Sequence, residues 1–338
     1  MPLRVGINGF GRTGRQVLRA WFQHHRDDFE VVAINGRTPV DMHTHLLRYD
    51  SDYGRFPAEI EDGDDSFTVD GHRVTVFHDD DPASIDWGAA NIDVVVEATG
   101  AFADRHSAAQ HLRDGVKKVL ITAPGKGDDW TVIMGVNEQE YDPSAHHVIS
   151  AGSCTTNCVV PMVKVLHDAF GIRRAFMSTI HAYTRDQNLV DAKHKDLRRA
   201  RAAAMNIIPT STGAAQAVSR VIPELEGKMN GIAFRVPTPV VSVVDLVSDL
   251  EQSVSQGAIN EAFMAAAAGP MEGYLYYERD ELVSSDFRDH PGSSIFDAPS
   301  TMVLDGDMVK TMAWYDNEWG YACRIADICA LLAERGLG

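Results

Sequence analysis

A chain of 338 residues, 44% of them hydrophobic, can bury a sizeable core and divide into two domains. Its net charge of -17 repels nucleic acid and anionic membrane surfaces, and its four cysteines are too few for a disulfide scaffold. We therefore expect no nucleic-acid partner, no membrane association and a reducing, cytoplasmic home, with any anionic substrate met by a local basic site.

Met1-Pro2-Leu3-Arg4 runs straight into an apolar strand pattern, without the features of a signal peptide or a transmembrane span. The first half then alternates short apolar strands at 3–7, 31–35, 94–98, 119–122 and 148–150 with helical patterns at 12–22 and 107–113. This alternation is the signature of a mostly parallel sheet. Residues 67–77 alternate like a hairpin around Asp70-Gly71, and the acidic stretch 59–81 reads as solvated loops and turns. From Ile172 onward the texture changes to longer β-branched runs at 175–182, 231–236, 240–250, 274–277, 301–304 and 308–315. They predict an antiparallel or mixed sheet backed by helices at 214–221 and 258–268. A last helix opens near Glu318.

Gly9-Phe10-Gly11-Arg12-Thr13-Gly14 fits G-x-G-x-x-G, follows the first strand and opens a helix. The glycines allow a tight turn and let the backbone approach a pyrophosphate at the helix N-terminus. In such folds an acid closing the second strand commonly holds the adenosine ribose. Here the strand ends Ala33-Ile34-Asn35 and continues Gly36-Arg37-Thr38, with no carboxylate. Loss of that acid removes repulsion against a 2′-phosphate, and Arg37 offers it a guanidinium. Thr99-Gly100 follows a later strand and is expected to line the cofactor cleft.

Ser153-Cys154-Thr155-Thr156-Asn157-Cys158 puts a cysteine among hydroxyl residues where a strand gives way to a helix. Free N–H groups and the helix dipole there favour thiolate over thiol, so Cys154 is the candidate nucleophile. Cys154 and Cys158 lack the companion ligands of a zinc site.

The blocks from Gly6 to Arg12, Ser153 to Cys158, Asp196 to Arg201, Pro209 to Ala215, Arg235 to Pro239 and Trp314 to Gly320 resemble phosphorylating glyceraldehyde-3-phosphate dehydrogenase, in family order over essentially the whole chain. The resemblance implies an α/β protein. It has a Rossmann-type dinucleotide-binding domain at 1–152, completed by a C-terminal helix at 318–338, and an α+β catalytic domain with a mixed, largely antiparallel sheet at 153–317. It also implies a homotetramer acting on glyceraldehyde 3-phosphate and inorganic phosphate, with Cys154 as nucleophile and His181 as its base. By the same resemblance Thr184, Asp186 and Arg235 help hold the substrate phosphate. Ser153, Thr155, Thr212 and Gly213 help hold the incoming phosphate, with Arg199 nearby. Asn317 and Thr122 stand on the nicotinamide side. Lys193 stands where the NAD-preferring form often has proline, in a loop that the resemblance puts near a neighbouring subunit's adenosine ribose. With Gly36-Arg37, it predicts use of NADP, and preference for it, over NAD. Asp80 stands where the family often has arginine, Val240 where asparagine is usual and Gln216 where lysine is common. Erythrose-4-phosphate dehydrogenase and a non-catalytic binding protein on the same fold are the alternatives.

Overall fold

Short runs of β-branched and apolar residues in the first 150 positions pair into a nine-stranded sheet. The computed structural model describes residues 2–338. In chain order the elements are β1 (Leu3–Asn8), α1 (Arg12–His24), β2 (Phe29–Asn35), α2 (Val40–Arg48), β3 (Ile60–Asp62), β4 (Ser66–Val69), β5 (His72–Phe77), β6 (Val94–Glu97), β7 (Lys118–Ile121), β8 (Trp130–Thr131) and β9 (Val148–Ser150). Their order across the sheet is β8-β9-β7-β6-β1-β2-β5-β4-β3. The central strands β6, β1 and β2 are parallel and almost wholly buried, as strands covered on both faces must be. The chain passes from β1 to β2 on one side and returns to β6 on the other. Their carboxyl ends thus form the crevice where open α/β sheets bind ligands.

The hairpin expected at 67–77 is formed by β4 and β5, and Asp70 (φ 47) with Gly71 (φ 78) supplies the two left-handed residues of its tight turn. The helix expected at 107–113 shrinks to one α turn, Arg105–Ala108, capped by Asp104, and a 3-10 turn, Ala109–His111. Helix α2 was not expected. It begins after Pro39 and carries two histidines and a threonine, which blur the apolar period.

His25, just beyond α1, bonds Asp28 through Nδ1 at 2.7 Å and Asp327 through Nε2 at 2.8 Å. Burial alone would lower its pKa, but the bonds to Asp327 and Asp28 outweigh burial and raise it above 6.5. Its contribution to stability is full below about pH 6.5 and fades as pH rises through the folded value. His25→Gln is therefore expected to cost about 1–2 kcal/mol near pH 6 and less near pH 9. Thermal unfolding at both pH values checks this, and equal losses would mean that charge plays no part.

The second half begins with α3 (Cys154–Phe170) and continues through β10 (Ile172–Ala182), β11 (Ile208–Ser211), α4 (Ala214–Val221), β12 (Met229–Val236), β13 (Ser242–Leu250), α5 (Gln256–Ala267), β14 (Leu275–Glu278), β15 (Ser294–Asp297), β16 (Met302–Leu304), β17 (Met308–Tyr315) and α6 (Trp319–Arg335). The sheet order is β11-β12-β10-β13-β17-β15-β14, with β16 pairing β17. Only β10 with β12 and β14 with β15 run parallel, so the sheet is mixed and largely antiparallel. Strands β11 and β15 were missed because each has four residues, and Pro209 reads against a strand. Val159, Val163 and Leu166 of α3 meet Val244, Leu246, Phe263 and Phe296 in one core, where the last two rings stack with centroids 3.8 Å apart. Helix α3 is buried nearly all round, so its direction is set by packing rather than by one amphipathic stripe.

Two compact units result. One takes in the chain up to 132 with 139–152 and 322–338, and the other 133–138 with 153–321.

Candidate active site

Ser153 is extended and its Oγ accepts the Thr156 N–H at 3.0 Å, which caps α3 and leaves Cys154 as the first helical residue. The register of β10 brings His181 to this helix start, with Nε2 3.5 Å from Cys154 Sγ. His181 Nδ1 donates to the Ala182 carbonyl at 2.7 Å. The ring is thereby assigned as the Nδ1–H tautomer, and Nε2 presents its lone pair to the sulfur. Arg235 Nη1 lies 3.0 Å from the same Nδ1 but donates to the Ala182 carbonyl at 3.0 Å and to the Thr184 hydroxyl at 2.9 Å.

Burial, and after it the Arg235 guanidinium, pushes the His181 pKa down to about 3. Burial also raises the Cys154 thiol above its ordinary value, against the opposing pull of Arg235 and Thr155. This corrects the expectation of a resting thiolate, because desolvation outweighs the helix N-terminus. The resting pair is a thiol facing a neutral imidazole, and a base of this kind takes the thiol proton as the sulfur attacks.

Tyr315, on β17, was not singled out in the sequence. Its buried hydroxyl bonds Thr155 Oγ1 at 2.9 Å and Thr179 Oγ1 at 2.8 Å, and its ring stands edge-on to His181. Ser242, also missed, accepts the Ala182 N–H at 3.0 Å and donates to Asn317 Oδ1 at 2.9 Å. It ties the residue after the base to Asn317.

A chain of polar contacts leads outward from His181. Arg235 bonds Thr184, Thr184 bonds Asp186, and Asp186 pairs with Arg199. Arg199 Nε also donates to Thr210 Oγ1 at 3.0 Å. Arg199 thus pairs with the Asp186 carboxylate directly and Arg235 reaches it through Thr184, and the fork of donors an arginine presents suits a phosphate. Arg199 therefore joins the group of Thr184, Asp186 and Arg235. Thr155 is engaged by Tyr315, while Thr212 accepts the Ala214 N–H at 3.2 Å beside Gly213, the residue that opens α4. Lys193 is exposed on the loop before β11.

In the first unit, Gly9 turns the chain with φ 95, and an added Cβ would stand 2.7 Å from the Thr99 nitrogen. A Cβ on Gly14 would meet the Gly9 carbonyl at 2.2 Å, so this turn accepts no side chain at either place. Gly11 precedes α1 without a side-chain cap, and no acid occupies the first turn. That uncapped N-terminus, with Arg12 and Thr13 at its start, fits the pyrophosphate of a dinucleotide. Arg12 itself pairs with Asp50 at 2.6 Å. Thr99 and Thr122 follow β6 and β7 on the same carboxyl edge. Arg37 Nε lies 2.5 Å from Asp80 Oδ1, with both side chains more than 70% exposed. A Cβ on Gly36 would strike the His43 ring at 2.5 Å.

The family model described as glyceraldehyde 3-phosphate dehydrogenase, NAD binding domain, matches residues 3–105, and that for the C-terminal domain matches residues 153–317. The chain is 53% identical over 337 residues to the glyceraldehyde-3-phosphate dehydrogenase of Geobacillus stearothermophilus, covering all of both chains. It is 52% identical, over the same span and coverage, to glyceraldehyde-3-phosphate dehydrogenase 1 of Bacillus subtilis (strain 168). A Streptomyces coelicolor glyceraldehyde-3-phosphate dehydrogenase is 50% identical over 336 residues, 99% of this chain and all of that one.

The chain belongs to the glyceraldehyde-3-phosphate dehydrogenase family.

The first unit therefore carries the family's NAD-binding Rossmann domain and the second its catalytic domain. Among the described residues no helix is long and apolar enough to cross a membrane. Tyr315 lay inside the Trp314 to Gly320 block that carries the family likeness. Its neighbours on β10 and α3 are more than 130 positions away in sequence, so spacing alone held no signal of its role.

Proposed function

We propose that this protein oxidises glyceraldehyde 3-phosphate, with inorganic phosphate and NAD(P), to 1,3-bisphosphoglycerate through a thioester on Cys154. The observation that carries the reading is the pair Cys154 Sγ and His181 Nε2 at 3.5 Å, beside the Arg235 and Arg199 anion site. The sulfur adds to the aldehyde carbon as its proton passes to His181, and His181 hands that proton to the carbonyl oxygen, giving a hemithioacetal and restoring the neutral ring. Nicotinamide, when bound, supplies the hydride acceptor. His181 takes the proton of the hemithioacetal oxygen as the carbon is oxidised to the thioester. A phosphate oxygen then attacks that carbonyl, the carbon–sulfur bond breaks, and the thiolate is released with an acyl phosphate. Arg235, Thr184, Asp186 and Arg199 hold the substrate phosphate, and Ser153, Thr155, Thr212 and Gly213 receive the incoming one. Asn317, oriented by Ser242, holds the nicotinamide amide, and Thr122 stands on the nicotinamide side. Gly9, Gly11, Arg12 and Thr13 form the pyrophosphate turn, and Thr99 lines the cofactor cleft. A non-catalytic role is disfavoured by the intact Cys154 and His181 pair.

NADP is the preferred cofactor in this reading. The turn at Gly36 has no acid, and the His43 ring fills the space of any side chain there. Asp80 competes for Arg37, but an ion pair this exposed is worth at most about 1 kcal/mol, and a 2′-phosphate displaces it. Lys193 adds positive charge from a neighbouring subunit. The test is kcat/KM for glyceraldehyde 3-phosphate and erythrose 4-phosphate with NAD and with NADP. Arg37→Asp and Lys193→Pro should shift the ratio toward NAD and Asp80→Asn toward NADP, each by about tenfold or less. A wild-type preference for NAD of about tenfold would refute the cofactor assignment, and faster turnover of the tetrose would refute the substrate.

The proposal includes a homotetramer in the cytoplasm. Leu189, Val190, Leu197, Met205 and Ile207 stand exposed on one loop, and Phe176, Ile232 and Val247 share an exposed face of the second sheet. Apolar surface of this extent is a place for other copies of the chain.

A further inference from the structure

The carboxyl ends of three adjacent strands in the first unit carry two amides and an acid whose side chains join in a row. Asn35 of β2 lies opposite Asn8 of β1, and Asn8 lies opposite Glu97 of β6. Asn35 Nδ2 donates to Asn8 Oδ1 at 2.8 Å, and Asn8 Nδ2 donates to Glu97 Oε2 at 2.5 Å. Beyond Asn35 the row is locked to Asp79, whose N–H reaches Asn35 Oδ1 at 3.0 Å and whose carbonyl accepts from Asn35 Nδ2 at 2.8 Å. From the other direction the Trp87 indole N–H donates to His111 Nδ1 at 3.0 Å. Because Nδ1 accepts, Nε2 carries the proton of the neutral ring, and it donates to Glu97 Oε2 at 3.2 Å. Thr99 adds its N–H to Glu97 Oε1 at 2.9 Å, and its hydroxyl donates to the same oxygen. Asn8, Asn35, Trp87, Glu97 and His111 are all buried.

The side-chain bonds of this row run toward Glu97, which receives four donors and returns none. Such a polarity admits only an acceptor there, since an amide would turn its N–H groups against one set of incoming donors. We propose that Glu97 is the positioning residue of the cofactor site: it sets the relative placement of the turns that hold the dinucleotide. Gly9 follows Asn8, Gly36 and Arg37 follow Asn35, and Thr99 is bonded directly. Thr122 is also tied in, its N–H and hydroxyl reaching the Glu97 carbonyl at 3.0 and 3.1 Å. The inference rests on the dinucleotide reading of this unit and adds the side chain on which its geometry depends.

The experiment is Glu97→Gln, with Kd for NAD and for NADP measured by fluorescence titration beside the wild type. Both dinucleotides are expected to bind about tenfold more weakly or worse, with their ratio unchanged. Alkylation of Cys154 by iodoacetamide should keep its rate. An unchanged Kd, with or without a lower Tm, overturns the proposal, as does a loss confined to one dinucleotide. His111→Gln and His111→Leu give the same answer if Glu97→Gln does not fold. The glutamine keeps a donor where Nε2 stood and should retain most of the affinity, whereas leucine should lose it, and equal affinities overturn the assignment. A wild type that binds neither dinucleotide overturns the reading of the unit itself.

Discussion

Cys154→Ser is expected to abolish formation of the acyl phosphate, because a hydroxyl in the same dry site stays protonated far more firmly than a thiol. His181→Asn should lower the rate by about 10²–10⁴, the usual worth of a positioned base. The resting pair is a thiol and a neutral imidazole, so the sulfur depends on His181 for removal of its proton. The double variant should therefore lose little more than Cys154→Ser alone. Single-turnover measurement of hydride transfer and of acyl phosphate release decides the matter. If the two losses multiply in full, the residues act separately and the paired role is wrong.

Arg235→Ala is expected to lower kcat/KM for glyceraldehyde 3-phosphate by about 10- to 150-fold, the equivalent of one lost charge-assisted bond. Unphosphorylated glyceraldehyde should lose far less, and equal losses on both aldehydes would make Arg235 a structural residue. A second readout follows from its place 3.0 Å from His181 Nδ1. Burial leads in holding the His181 pKa near 3, and the guanidinium is the next cause. Without it the pKa rises toward 6.5, so less of the ring is neutral in mild acid and the acid limb of the rate profile moves to higher pH. Restoration by Arg235→Lys should be partial, since an ammonium returns the charge without the fork.

Most strands of the first sheet were legible because they are short apolar runs bounded by turn residues, and the hairpin at Asp70-Gly71 was legible from its turn chemistry. Strand β3, in the acidic stretch read as solvated loops and turns, and the two-residue β8 were not. Helix α2 escaped because His43, Thr44 and His45 interrupt its apolar face, although His43 and Thr44 are buried. The stretch 107–113 was overread. Its polar and apolar spacing suits a helix, but the chain leaves the α turn after Ala108 and carries His111 inward to Trp87 and Glu97. Cys154 and His181 were visible through the blocks around them. Tyr315, Ser242 and Glu97 were not, because each acts through hydrogen bonds to partners on other strands, and a pattern of neighbours along the chain holds no record of those partners. The state of Cys154 was misjudged for a related reason: a helix start can be read from sequence, whereas the depth at which it is buried cannot.

The contact between Gly36 and His43 limits how this protein can change. A ribose-binding acid at position 36 needs a Cβ where the imidazole now stands, at 2.5 Å. Glycine and histidine therefore fit one another, and any side chain at 36 requires the His43 ring to shift, whatever its charge. The ring is buried and stands edge-on to Phe10, so moving it disturbs that contact. An engineer who places an acid at 36 should therefore vary residue 43 together with it.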